Sequence, residues 1–461
     1  MAFTRALSAL LFAFALESAA AAQQPPGVAT FAPAAPPPRE EIGRAIGTYD
    51  LPGGGFVAIF WVEDLGGLLM IDYPAGRIRA LHRDGSDSYT TGPAVMAETP
   101  VQSRLRIGAA GLSVTEGGRV RSAPRAGFRR EDLNFRSGAI RLAGTLTLPR
   151  GRGPFPAVVL LHGGGAEDRS FGWVPGFFAE AGVAVFAYDK RGVGGSGGNW
   201  RTAGQADLAA DAVAAVAMLR ARADIDAGRI GLYGSSNGGW TAPLAATMAP
   251  DRIAFVIARA ASGLTQRENI IFEMESDLRH AGYSAAQIAA ARALHERDMA
   301  LVRSGGEGWN AFRADLAAAS REPWFRLARL PAEIEEMNEA NRAGILRWIA
   351  SQRRELIDPP SLWAQLSCPI LVQSGTSDIY TPAARSAALL RAAFARAGNR
   401  RAAFRLYRNG DHALFESAGG SLADVARVTR FTPGYLTDLR AWLARYVTGP
   451  GAVRGRGCAR R

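Results

Sequence analysis

At 461 residues the chain is long enough for one large or two ordinary domains with a proper core, and its 48% hydrophobic content excludes wholesale disorder. Its 54 Lys and Arg outnumber 42 Asp and Glu, for a formal charge of +12. These cations are scattered rather than gathered into a stripe with aromatics, so nucleic acid is not an expected partner, although contact with an anionic surface stays open. Lys190 is the only lysine.

Taken in chain order, residues 1–22 read as a secretory signal. Arg5 gives the positive start, Ala6 to Leu16 an apolar run too short to span a bilayer, and Ala20-Ala21-Ala22 a cleavage site before Gln23. A secreted or periplasmic location is therefore expected. The Pro- and Ala-rich stretch 23–40 is a linker. Residues 41–130 read as a small antiparallel β domain, with strands predicted over Phe56 to Val62, Leu68 to Tyr73, Arg77 to His82, Val101 to Ile107 and Leu112 to Thr115.

A hairpin over Leu133 to Phe135 and Ile140 to Leu148 opens an α/β segment. Strands at Ala157 to Leu161, Val183 to Tyr188, Arg229 to Tyr233 and Ile253 to Ala258 alternate with helices at Phe171 to Ala181, Ala206 to Ala221 and Gly238 to Met248. This rhythm predicts a mostly parallel sheet with helices on both faces over 131–263 and 361–447. Residues 264–360 carry only helical pattern and read as an inserted cap, with one helix predicted over Ala332 to Arg354. The sheet resumes at Ile370 to Val372 and Ala402 to Tyr407, and a disordered tail is expected over 448–461. The expectation for the two cysteines is an inert buried Cys368 and a free Cys458, with a disulfide as the alternative. No Cys/His cluster has zinc spacing, and no metal or organic cofactor is expected.

Two serines are flanked by glycines as a nucleophile elbow requires. Gly234-Ser235-Ser236-Asn237-Gly238 directly follows a predicted strand and opens a helix, whereas Gly194-Gly195-Ser196-Gly197-Gly198 lies beyond its strand in a run read as a flexible loop. Ser236 is the candidate nucleophile. A serine needs a base, and the base needs an orienting carboxylate. His412 is the only histidine after the cap. Asp378 follows the strand at 370, where open sheets build their sites. Asp411 and Glu416 are weaker acids. His82, His280 and His295 read as surface residues. The oxyanion donors would be the N–H of Asn237 and that of Gly164, with Gly163 as second choice, in the run after His162.

His162-Gly163-Gly164-Gly165, Asp189-Lys190-Arg191-Gly192, the Ser236 elbow, Asp378 and His412, in this order, resemble the α/β-hydrolase superfamily. Within it the pattern is similar to bacterial serine aminopeptidase-like and dienelactone hydrolase-like esterases. The resemblance covers about Asp132 to Tyr446 outside the cap, and in this family the Asp/Arg pair of the second motif is usually structural. It implies a serine hydrolase acting on a small-molecule ester or short peptide. Other readings are an aminopeptidase, oligopeptidase or thioesterase, and a secreted binding protein on a hydrolase scaffold. An aminopeptidase needs a carboxylate pair near the cap, for which Glu335, Glu336 and Glu339 are candidates. No motif encodes the acyl group, the leaving group or the oligomeric state.

Overall fold

A computed structural model describes residues 43–62, 67–109, 111–335, 337–354, 357–450 and 457–458, so the expected signal and most of the linker lie outside the described residues. The first eight strands are β1 (Gly47–Asp50), β2 (Phe56–Val62), β3 (Gly67–Asp72), β4 (Arg77–Arg83), β5 (Ser88–Thr91), β6 (Ser103–Gly108), β7 (Gly111–Glu116) and β8 (Arg119–Pro124). They pair antiparallel in sequence order. A bridge between Tyr49 and Arg125 brings the end of the meander back beside its beginning.

The unbroken apolar run in β2 has a physical cause. Side chains alternate across a strand. Val57 and Ile59 pack inside the meander with Leu68, Met70 and Leu105. Phe56, Ala58 and Phe60 point the other way and share a second core with Val158, Leu160, Trp173 and Phe177. A half-solvated strand would alternate apolar with polar. This one is buried on both faces because the meander is packed against the following α/β unit.

That unit has eight strands: β9 (Arg129–Ser137), β10 (Ile140–Leu148), β11 (Phe155–Leu161), β12 (Ala184–Tyr188), β13 (Ile225–Ser235), β14 (Val256–Arg259), β15 (Ile370–Gly375) and β16 (Ala402–Tyr407). Their spatial order is β16-β15-β14-β13-β11-β12-β10-β9. Only β10 runs against the others, antiparallel to its neighbours β9 and β12; β11 to β16 run parallel. Helices α1 (Val174–Glu180), α2 (Gln205–Arg220) and α3 (Gly238–Met248) connect the first parallel strands. This is an α/β-hydrolase sheet preceded by an antiparallel β domain.

Between β14 and β15 the described residues hold helices and no strand: α4 (Gln266–His280), α5 (Ala285–Ser304), α6 (Trp309–Ala319), α7 (Ala332–Glu335) and α8 (Arg342–Arg354) among them. They have a core of their own around Met274, Leu294, Trp309 and Ile349. The helix expected over 332–354 is broken in two. Asn338 and Asn341 each accept the other's backbone N–H, at 3.1 and 2.9 Å, and such side chains compete with helical bonding. Helices α9 (Ala383–Arg396) and α10 (Tyr435–Leu443) complete the later core.

The cysteine expectation is overturned. Cys368 and Cys458 form a disulfide across 90 residues of sequence. Both are buried, and Ser367 N–H donates to the Cys458 carbonyl at 3.1 Å, so the tail expected to be disordered is pinned at this point. Two lone cysteines far apart in sequence carry no signal of proximity until the sheet brings them together.

Candidate active site

Residues that end the parallel strands converge at the carboxyl edge of the sheet, the place where open α/β sheets bind ligands. Ser236 sits between β13 and α3 with φ of +52°, a conformation that strains a residue with a side chain. Its N–H donates to Arg259 O at 2.9 Å, and its carbonyl accepts from Gly239 N–H at 2.7 Å. The glycines around it are required by contact. A Cβ on Gly234 would lie 2.2 Å from Gly238 O, and one on Gly238 2.7 Å from Leu161 O. Strand and helix therefore approach as closely as an elbow needs.

The side chain of Ser235 points elsewhere and accepts from Arg259 Nε and Nη2 at 3.2 and 2.5 Å. Arg259 Nη1 also donates to Ala413 O at 3.2 Å, tying the elbow to the loop that carries His412. Asn237 Oδ1 accepts from Gln205 at 2.7 Å and from Gln266, the first residue of α4, at 2.8 Å.

His412 Nδ1 lies 2.9 and 3.0 Å from the two carboxylate oxygens of Asp378. Asp378 Oδ1 also accepts the N–H groups of Tyr380 and Thr381 at 2.9 and 2.8 Å, which fixes its orientation. Burial works against a charged His412, but the charge and hydrogen bond of Asp378 outweigh it and raise its pKa above the ordinary histidine value. Asp411 instead caps its own turn, accepting from Ala413 and Phe415 N–H, and burial pushes it up to about 6. Glu416 pairs with Arg430 at 2.6 Å. Neither weaker acid is on the imidazole.

The loop bearing His412 is a hairpin, with Phe415 bridged to Phe431, and its far side is bonded to the N-terminal sheet. Ile78 and Val95 N–H donate to the carbonyls of Thr429 and Val428 at 2.9 and 2.8 Å. Met96 N–H donates to Ala426 O at 3.1 Å, and Phe431 N–H to Gly76 O at 2.9 Å. No sequence signal pointed to this contact.

The other singled-out residues have structural partners. Ser196 is not in a free loop: its Oγ donates to Asp189 O at 2.7 Å and accepts Ala143 N–H at 3.0 Å. Asp189 is held by Arg169, with contacts of 2.9 and 2.6 Å. His162 Nε2 is 2.6 Å from Tyr188 O, and burial, then Lys190, push its pKa down to about 3. His295, expected on the surface, is buried with Nε2 on Ala328 O, because α5 packs inside the cap. His280 is exposed, and His82 lies 3.3 Å from Glu98. Gly163 N–H is engaged by Glu167 Oε2 at 2.9 Å, whereas Gly164 N–H has no partner among the described residues.

Sequence reading missed the cap carboxylates that face His412. Glu339 and Glu335 are exposed, the former bonded to Trp309 and Arg313, and Glu336 lies outside the described residues. Glu273 and Asp277 on α4 stand closer to the site. Both are held by Arg329, whose own φ is +51°, at 2.8 and 2.6 Å. Burial pushes Glu273 up to about 7, against the pull of Arg329 and His412. Asn269 of α4 donates to Glu273 and to the Tyr380 carbonyl, and the Tyr380 ring lies 5.3 Å from that of His412. Helical spacing was the only available clue, since positions 269, 273 and 277 share one face.

The serine aminopeptidase S33 family matches residues 153–417. The chain belongs to this family. It is an enzyme of the hydrolase type. A curated relative, esterase EstD of Thermotoga maritima, is 32% identical over 110 residues; the match covers 22% of this chain and 26%, about a quarter, of that protein's length. Among solved structures, the Pyrococcus furiosus esterase PF2001 aligns with 16% identity and a TM-score of 0.41, covering 69% of this chain and 92% of its own. The ferulic acid-bound Est1E from Butyrivibrio proteoclasticus aligns with 16% identity and a TM-score of 0.38, covering 67% and 95%.

Proposed function

We propose that this S33-family chain is a serine hydrolase that cleaves carboxylic esters through an acyl-enzyme, with Ser236 as nucleophile, His412 as base and Asp378 as orienting acid. The observation that carries the reading is the two-oxygen contact of Asp378 with His412 Nδ1 at 2.9 and 3.0 Å, on a loop that Arg259 ties, through Ala413 O and Ser235 Oγ, to the strained strand-to-helix turn of Ser236. His412 Nε2 takes the Ser236 proton as Oγ attacks the ester carbonyl. The oxyanion is received by the N–H groups of Asn237 and Gly164. His412 protonates the departing alcohol, then activates water, which releases the acid and regenerates Ser236. A fluorophosphonate should label the wild-type chain at Ser236 and leave Ser236→Ala unlabelled; persistent labelling of that variant would sink the assignment.

Esters are favoured over free-amine peptides for a reason of charge. An α-ammonium needs uncompensated negative charge, and Arg329 already occupies Glu273 and Asp277. Short nitrophenyl esters should therefore be turned over faster than aminoacyl anilides. The reverse preference would establish an aminopeptidase. Export to an oxidising compartment is part of the proposal, supported by the signal-like start and the disulfide. A mature chain beginning near Gln23 in the periplasm or medium tests it.

A further inference from the structure

The glycine run after β11 is held by two charged side chains that the proposed chemistry leaves unused. Lys190 Nζ donates to Gly163 O and to Gly165 O, both at 2.8 Å. Glu167 Oε2 accepts Gly163 N–H at 2.9 Å, and the Glu167 carbonyl accepts the Lys190 N–H at 3.1 Å. Lys190 is only 4% exposed, with the Trp200 ring 5.7 Å from its ammonium. It is the sole lysine of a chain that otherwise uses arginine.

The direction of the Gly164 N–H follows from these contacts. A trans peptide is planar, and its C=O and N–H point opposite ways. Gly163 O and Gly164 N–H belong to one peptide. Fixing that oxygen on an ammonium therefore fixes where the N–H points. The cation also polarises the peptide and makes its N–H a stronger donor. Glu167 meanwhile removes the neighbouring Gly163 N–H from use.

Resting on the serine-hydrolase reading above, we propose that Lys190 and Glu167 are positioning residues that clamp residues 163–165, so that the Gly164 N–H is aimed and polarised as the oxyanion donor. The clamp also accounts for the lysine. A compact ammonium on a flexible stem can bond two carbonyls of one short turn, while the planar guanidinium fork needs more room and a different geometry.

The test uses the full chain and a short nitrophenyl ester, with competent sites counted by end-point fluorophosphonate labelling so that kcat refers to folded enzyme. Lys190→Met and Glu167→Ala should each lower kcat by about 10- to 100-fold, below the 10²–10³ typical of losing an oxyanion donor outright, with KM held within about threefold. Glu167→Gln keeps an acceptor for Gly163 N–H and should recover kcat to within about threefold of wild type. A purely structural role would lower the melting temperature and the number of competent sites while leaving kcat per site unchanged, and that result overturns the clamp. If Lys190→Met does not fold, the Glu167 pair decides by the same criterion. Ser236→Ala separates the two levels. An inactive Ser236→Ala beside an unaffected clamp variant refutes the clamp alone, while an active Ser236→Ala refutes both readings.

Discussion

Removing the N-terminal β domain should cost this enzyme its catalytic step, not merely an attachment. The hairpin that carries His412 hands four backbone hydrogen bonds to that domain, at Gly76, Ile78, Val95 and Met96. At about 1 kcal/mol net for each, their loss weakens the hairpin's seat by roughly 4 kcal/mol. Every 1.4 kcal/mol is about a factor of ten, so the seated population falls by up to about 10³ relative to the freed one. Burial adds to this, since Ile78 and Val95 share a core with Leu414, Val428 and Phe431. The Asp378–His412 contact and the Arg259–Ala413 bond resist the loss, so we expect kcat on a soluble nitrophenyl ester to fall at least about 100-fold in a chain beginning at residue 128. Ile78→Ala in the full chain, a substitution of the kind that costs about 2–5 kcal/mol, should move kcat in the same direction by less. A monomeric truncated chain with kcat within about threefold of the full chain would refute the buttress and leave the domain as an attachment module.

Three other outcomes follow from the site and the disulfide. Because Asp378 raises the His412 pKa, the acid limb of kcat/KM should lie above the ordinary histidine value; Asp378→Asn should move it to lower pH and reduce kcat by an amount on the order of 10⁴, and an unmoved limb in a pH–rate profile would count against the pair. Glu273→Gln removes a carboxylate whose negative charge favours the imidazolium but which burial leaves only partly ionised near pH 7, so the same limb should shift modestly to lower pH with kcat nearly unchanged, and a shift upward would contradict the placement of α4 over His412. Cys458→Ser opens a cross-link of 90 residues, which on chain-entropy grounds stabilises by at most roughly 4.6 kcal/mol. Reductant should lower the wild-type melting temperature toward that of the variant and leave the variant unmoved, whereas a fully reduced wild type with an unshifted melt would refute the contribution.

What the sequence made legible was whatever depends on local pattern. Most strand runs, the helices of the α/β core and the strand–turn–helix context of Ser236 are set by neighbours a few residues away, and they read correctly because propensity and burial agreed there, whereas the helix read over 332–354 is interrupted where Asn338 and Asn341 bond each other's backbone. The short strands β1, β5 and β8 were missed; β8 exposes most of its side chains and carries no apolar run. Ser196 misled for a related reason. Glycine in a loop signals freedom, but here the loop wraps the buried Asp189, which the half-buried Arg169 holds, and the serine closes it. Other illegible features join distant segments: Cys368 to Cys458, Ile78 to Thr429, Glu273 to Arg329. Each is decided by which elements of the fold lie side by side, and a single sequence does not contain that. The β2 run shows the boundary between the two kinds. Its double-faced apolarity was visible in Phe56 to Val62, and a strand apolar on both faces requires a second packing partner. The identity of that partner, the sheet that places His412, needed the fold. The same residues that looked like an ordinary strand are therefore the sequence trace of the packing of the N-terminal domain on the α/β unit.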